Sequence, residues 1–178
     1  SFSQMSNYNY SCLKVVDLGN FVFNVQLNRP EKRNAINIEI WREIGDAFRK
    51  IDQDPSCRVV LFTGNGKVFS SGIEFKSLLD TLQSTNGPDA ARSARGLLRL
   101  IKSMQDDFSA IEKCCKPVIV AMHAYCLGIT MDLIAGTDIR YCTRDTVFSI
   151  KEVLAGLATD VGSLNRWPKN IGNHSWLR

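Results

Sequence analysis

The chain has 178 residues, of which 44% are hydrophobic and 22% charged, and this suits one globular domain with a sizeable buried core. Its net charge of +4 comes from scattered basic residues, Arg29, Lys32, Arg33, Arg92, Arg95 and Arg99 among them, a pattern that argues against a nucleic-acid groove and suits a small anionic ligand. No apolar run approaches the roughly 20 residues of a membrane span, and residues 1–11 show no targeting signal.

In chain order, S-C-L-K-V-V-D-L-G-N-F-V-F-N-V-Q-L-N-R-P reads as two strands about a Gly19-Asn20 turn, with Pro30 ending the second. From Asn37, the apolar residues Ile40, Trp41, Ile44, Phe48 and Ile51 recur at three- and four-residue steps, which predicts an amphipathic helix capped by Asn37 and stopped by Asp54-Pro55. R-V-V-L-F-T-G (58–64) is a short buried strand, and a glycine-punctuated turn and a second helix follow it to Asp80. The polar run Gln83 to Asp89 predicts an exposed loop. A long helix comes next, with Leu97, Leu98, Ile101, Met104, Phe108 and Ile111 expected on its core face. K-P-V-I-V-A-M (116–122), a short helix from about Met131, and strands at 138–142 and 147–150 complete an α/β alternation with a parallel sheet. The cysteines (12, 57, 114, 115, 126 and 142) form no C-x-x-C pair and lie mostly in apolar runs, which predicts reduced core thiols rather than a disulfide or zinc scaffold, as in an intracellular protein.

Chemistry concentrates between Leu127 and Gly162. Asp132, Glu152 and Asp160 each stand among Met, Leu, Val, Ala or Gly, the surroundings of a pocket wall and not of a solvated acidic face, and such surroundings shift proton affinities. A lone carboxylate of this kind more often caps a helix or pairs with a buried base; three together favour acid–base work. Two strand-to-helix turns, F-S-S-G-I-E and A-Y-C-L-G-I-T-M-D, are rich in small residues where helices begin. Main-chain N–H groups there would stabilise an oxygen gaining negative charge, although the glycines alone fit plain tight turns equally well. G-N-G-K-V-F-S-S-G matches neither a dinucleotide nor a phosphate-loop pattern, no G-x-S-x-G is present, and His123 and His174 lack triad partners.

These motifs carry a resemblance to the enoyl-CoA hydratase/isomerase (crotonase) superfamily. It runs from about Cys12 to the end of the chain through L-N-R-P-E-K-R-N-A-I, F-S-S-G-I-E, K-P-V-I-V-A-M and M-D-L-I-A-G-T-D-I-R-Y-C. With acids at intervals of twenty and eight residues, the stretch through F-S-I-K-E-V and G-L-A-T-D-V-G looks most like the Δ3,5-Δ2,4-dienoyl-CoA isomerases. The resemblance implies a crotonase-like fold of repeated ββα units with a mainly parallel sheet, residues 1–11 an extension, residues 12–178 the domain, and the C-terminal helical part missing.

It also implies an acyl-CoA thioester held by the N–H groups of Ile73 and Ile129. Glu152 and Asp160 would exchange protons at C2 and C6, Asp132 would hydrogen-bond Glu152, and Arg33, Ala35 and Gly72 would contact coenzyme A, with a nearby Arg or Lys on its phosphates. No metal and no cofactor beyond the substrate's coenzyme A is implied. Nor is nucleic-acid binding or membrane insertion. A homotrimer or hexamer at full length and a mitochondrial or peroxisomal location are implied. Two turns depart from the family pattern: Ile129 and Thr130 stand where L-G-G-G-x-D has glycines, and His123-Ala124 stands where a glycine pair is usual. Isomerase, acyl-CoA-binding or assembly protein of impaired catalysis, and enoyl-CoA hydratase are therefore three readings of one chain.

Overall fold

A computed structural model describes Met5 and residues 7–172. Strands β1 (Leu13–Asp17) and β2 (Val22–Leu27) pair antiparallel, from Leu13 opposite Leu27 to Asp17 opposite Phe23. The connecting turn places Gly19, Asn20 and Phe21 at positive φ, and the guanidinium of Arg58 lies 4.0 Å over the Phe21 ring. Helix α1 (Ile38–Gln53) starts where the Asn37 side chain accepts from the Ile40 N–H at 2.8 Å. Its buried stripe of Ile40, Trp41, Ile44, Phe48 and Ile51 is the one the periodicity predicts.

Strands β3 (Val59–Gly64), β4 (Val118–Met122) and β6 (Ile139–Cys142) extend the hairpin into a five-stranded sheet of order β1-β2-β3-β4-β6, parallel beyond the hairpin. The crossover from β3 to β4 carries α2 (Phe75–Gln83) and α3 (Ala90–Lys113) around an exposed loop. A second set of short pairings links the segments that leave this sheet: Ile36 with Ile73, Ser70 with Cys126, and β5 (Tyr125–Leu127) with β7 (Val147–Ser149). Strand β5 is absent from the sequence reading, because three residues are too short to show a period. Helices α4 (Ile129–Ala135) and α5 (Ser163–Ile171) complete the described chain.

The core forms where α1 and α3 cover the sheet. Trp41 stacks on Phe108 at 4.2 Å between centroids, and its Nε1 donates to the Met104 carbonyl at 2.9 Å. Gly45 lets the helices meet at Asp107, since a Cβ there would fall 2.4 Å from Asp107 Oδ1, which pairs with Arg49 at 2.6 Å. The N-terminal segment joins this core through Tyr8, which is buried with its ring edge-on to Phe23 and its hydroxyl donating to Asp54.

Two expectations need correction. Leu97 and Leu98 do not face the core: they are 36% and 56% exposed, and the buried residues of α3 begin at Met104, in the half of the helix that packs under α1. Cys12, Cys57 and Cys126 are buried thiols, but Cys115 and Cys142 are exposed, the first on the bend between α3 and β4 and the second at the end of the edge strand β6.

Candidate active site

The site begins with backbone. In a parallel bridge, residues alternate in the direction of their N–H groups. The Ile36 N–H donates to Gly72 O at 2.8 Å and the Glu74 N–H to Ile36 O at 2.9 Å, so the Ile73 N–H between them points away from Ile36. Ile129 is the first residue of α4, where an N–H has no intrahelical partner. Neither N–H donates to another main-chain group among the described residues. Gly72, at φ +96°, allows the turns that carry them to touch, for a Cβ on it would stand 3.0 Å from Leu127 O.

The altered glycine turn is sound in the structure. The positive φ it requires falls on Gly128, at +56°, and Ile129 is not among the residues with positive φ. The branched side chain at 129 is therefore compatible with its own backbone. Thr130 Oγ1 closes the turn by donating to Leu127 O at 2.7 Å, and the Ile129 side chain is buried against the cavity. At the other departure the backbone is strained: Ala124 sits at φ +55°. His123 makes a local contact, its Nε2 lying 2.9 Å from Gly66 O.

Ile73 and Ile129 line a cavity of about 170 Å³ together with Trp41, Met104, Leu157, Glu152 and Asp160. A smaller cleft of about 60 Å³, lined by Gly72, Gly128 and Lys151, shares Ile73, Glu152 and Leu157 with it, so the two form one depression that is apolar at its inner end. Two carboxylates in an otherwise apolar wall can move protons along a chain lying between them.

The three acids differ in setting. Asp132, on α4, is 1% exposed; its Oδ1 accepts from the Ser163 N–H at 2.6 Å, and Oδ2 has no partner among the described residues. Burial pushes its carboxyl up to about 6, against the Ser163 contacts and with a smaller push from the charges of Glu152 and Asp160. Glu152 begins a 3-10 turn (Glu152–Ala155) after β7, and its Oε1 lies 3.2 Å from where a Cβ on Gly128 would be. Its pKa is also raised, chiefly by burial, and its Oε2 has no partner among the described residues. Asp160 stands more open, on the loop before α5. The expected hydrogen bond from Asp132 to Glu152 is absent; Ser163, at the start of α5, takes the oxygen.

Of the predicted coenzyme A contacts, Gly72 lines the mouth, whereas Arg33 and Ala35 lie outside both cavity walls. Arg33 is exposed in the left-handed region at φ 52°, its carbonyl accepting from the Ser71 N–H at 3.0 Å. Ala35 O accepts from Arg29, which also pairs with Glu74 at 2.9 Å. Lys151 is the basic residue among those that line the two cavities. Sequence reading missed the apolar walls Trp41, Met104 and Leu157, which look like ordinary core residues until the fold leaves space beside them. Away from the site, Cys12, Glu39 and Glu43 converge, but the Ser11 and Cys12 amides occupy the Glu43 carboxylate.

Residues 17–176 match the family model for enoyl-CoA hydratase/isomerase, and the chain belongs to that family. Within the family it is 50% identical over 172 residues to the mitochondrial Delta(3,5)-Delta(2,4)-dienoyl-CoA isomerase of Mus musculus, an alignment covering 97% of this chain and 53% of the relative. Identity is 43% to the Homo sapiens protein of that name, covering 98% and 53%, and 42% to the peroxisomal one of Arabidopsis thaliana, covering 94% and 62%. The chain thus spans little more than half the length of these relatives. Among solved structures, an enoyl-CoA hydratase/carnithine racemase from Magnetospirillum magneticum superposes with a TM-score of 0.79 at 26% identity, covering 95% of this chain and 60% of that one. An enoyl-CoA hydratase from Shewanella pealeana gives 0.80 at 21% identity, covering 94% and 59%, which shows the shared fold.

Proposed function

We propose that this chain carries the acyl-CoA-binding and proton-transfer site of a dienoyl-CoA isomerase, converting a 3,5-dienoyl-CoA to the 2,4-isomer. The observation that carries the reading is that Glu152 and Asp160 share one apolar cavity with the unengaged N–H groups of Ile73 and Ile129. The thioester oxygen accepts from those two N–H groups, which acidifies the C2 proton. One carboxylate removes that proton, and the electron pair spreads from C2 along the conjugated chain to C6. The other, entering protonated, delivers its proton at C6, leaving double bonds at C2 and C4. The proton affinity of Glu152, raised chiefly by burial, suits a carboxylate that takes up a proton. Asp132 acts from behind, as a buried charge that keeps a proton near the pair.

The reaction needs no metal or redox cofactor, only the coenzyme A of its substrate. Placement in mitochondria or peroxisomes follows the names of the relatives, and a role in unsaturated fatty-acid oxidation and assembly as a trimer or hexamer are part of the same proposal. A binder without turnover was motivated by Ile129, Thr130 and the missing C-terminal part; the ordinary backbone at Ile129 weakens the first of these motives and leaves the last in place. A hydratase is disfavoured by Asp132 in place of a glutamate and by the added acid Asp160. Incubation with a 3,5-dienoyl-CoA, followed by the ultraviolet absorbance of the 2,4-dienoyl product, is the direct test: turnover is expected, and tight binding of the ester without turnover overturns the isomerase reading.

A further inference from the structure

We infer that Gln105 and Arg166 are positioning residues that fix the Asp160 carboxylate at the cavity by tying the main chain of its loop to α3. This inference rests on the reading of Asp160 as a proton-transfer group. Residues 157–162 lie between the 3-10 turn and α5 in no helix or strand, and among the described residues no main-chain hydrogen bond is made by residues 158–161. Thr159 and Val161 are buried on either side of Asp160, whereas Asp160 itself is exposed. Main-chain bonding does not fix such a segment to the fraction of an ångström that proton transfer requires.

Two side chains hold it instead. Gln105 Nε2 donates to Asp160 O at 2.8 Å. Arg166, buried at the start of α5, donates through Nη1 to Val161 O at 3.3 Å. The same guanidinium bonds to Glu112 through Nε at 2.9 Å and Nη2 at 2.7 Å, and to Ser109 Oγ at 3.1 Å. Residues 105, 109 and 112 form one stripe of α3, so adjacent carbonyls of the loop are fastened to a single helix face. Gly162 makes the clamp possible: a Cβ on it would lie 1.7 Å from Arg166 Nη1, so only glycine lets the guanidinium pass behind the loop. Helix α3 also supplies Ile101 and Met104 to the cavity wall, which ties the acyl wall and the acid to one rigid element.

The test uses the full-length protein and 3,5-dienoyl-CoA. Gln105→Met keeps the side-chain length and removes the donor, and Glu112→Gln removes the charge that anchors Arg166 without emptying the buried site. Each is expected to lower kcat about tenfold, and the two together about a hundredfold, with KM within about twofold, as befits an acid displaced by a fraction of an ångström. The melting temperature of Gln105→Met should match the parent, because a merely structural bond would lower stability and leave kcat per folded molecule intact. Asp160→Asn, run in parallel, separates the outcomes. If it abolishes turnover while both clamp variants keep the parental kcat, the positioning role is overturned and the isomerase reading stands. If Asp160→Asn itself turns over like the parent, the role of Asp160 and the clamp fall together.

Discussion

The two ends of the main sheet solve opposite problems. Around β1, β2, β3 and α1, nearly every inward side chain is sealed, from Phe23 and Val25 to Phe48 and Phe62, and the polar groups present are caps and turns. Around β6, β7 and the loop before α5, Ile139, Tyr141, Val147, Phe148 and Leu154 are exposed, while Asp132 and Glu152 hold buried oxygens without partners among the described residues. The first region supplies the free energy that keeps the chain folded. The second tolerates desolvated carboxylates, which destabilise a fold and are what proton transfer requires. Stability and chemistry are thus divided between two regions of the fold.

That division can be broken most forcefully at Glu152. Glu152→Gln should lower kcat for the dienoyl ester by about 10² to 10⁴, the usual yield of a positioned acid or base, while leaving the urea midpoint the same or higher. A stability loss comparable to the catalytic one would erase the contrast. In the sealed region the reverse is expected. Phe48→Ala removes a fully buried ring set edge-on to Phe62 at 5.8 Å between centroids, and should cost about 3–5 kcal/mol by urea unfolding.

Asp132 sharpens the comparison through pH. Its pKa is raised in the folded state, from 3.8 to about 6, so the folded protein holds a proton that the unfolded chain has already released. Stability from this group is therefore greatest below about pH 4, falls as pH rises through 4 to 6, and stays lowered above; the full span is about 3 kcal/mol. Asp132→Asn should remove that decline, so the difference between variant and parent, measured by urea unfolding at pH 4 and pH 7, should move by about 2 kcal/mol in favour of the variant. An unchanged difference would mean the carboxyl is not held in its neutral form. The smallest effect is at Ala124, whose positive φ suits glycine: Ala124→Gly should stabilise by about 0.5–1 kcal/mol, seen as a slightly raised melting temperature.

Much of the fold is legible in the residues. The hairpin is written in Gly19-Asn20 between alternating apolar residues, and α1 in the Asn37 cap and its three- and four-residue apolar steps, because both signals are local. Strand β5 left no trace, being defined only by its partner β7. In the site, apolar company marked Asp132, Glu152 and Asp160 alike as desolvated; the structure buries Asp132, half-buries Glu152 and leaves Asp160 exposed, because its loop turns that side chain outward between buried Thr159 and Val161. The partner of Asp132 was misjudged, because the backbone amide of Ser163 arrives from 31 residues away and carries no side-chain signature. The apparent obstacle at Ile129 was misjudged for a related reason: which residue of a turn takes positive φ is a property of the backbone path, and here it is Gly128.

By itself, then, the sequence determined the elements and the chemical character of the acids, since propensity, capping and patterning act over a few residues. Which groups meet was decided only in the folded chain. The sheet order brings the 73 and 129 turns together across the sequence, and α3 turns Gln105 toward a loop 55 residues further on. Such contacts depend on backbone direction and on the space left between packed elements, and neither is encoded in any short stretch of the chain.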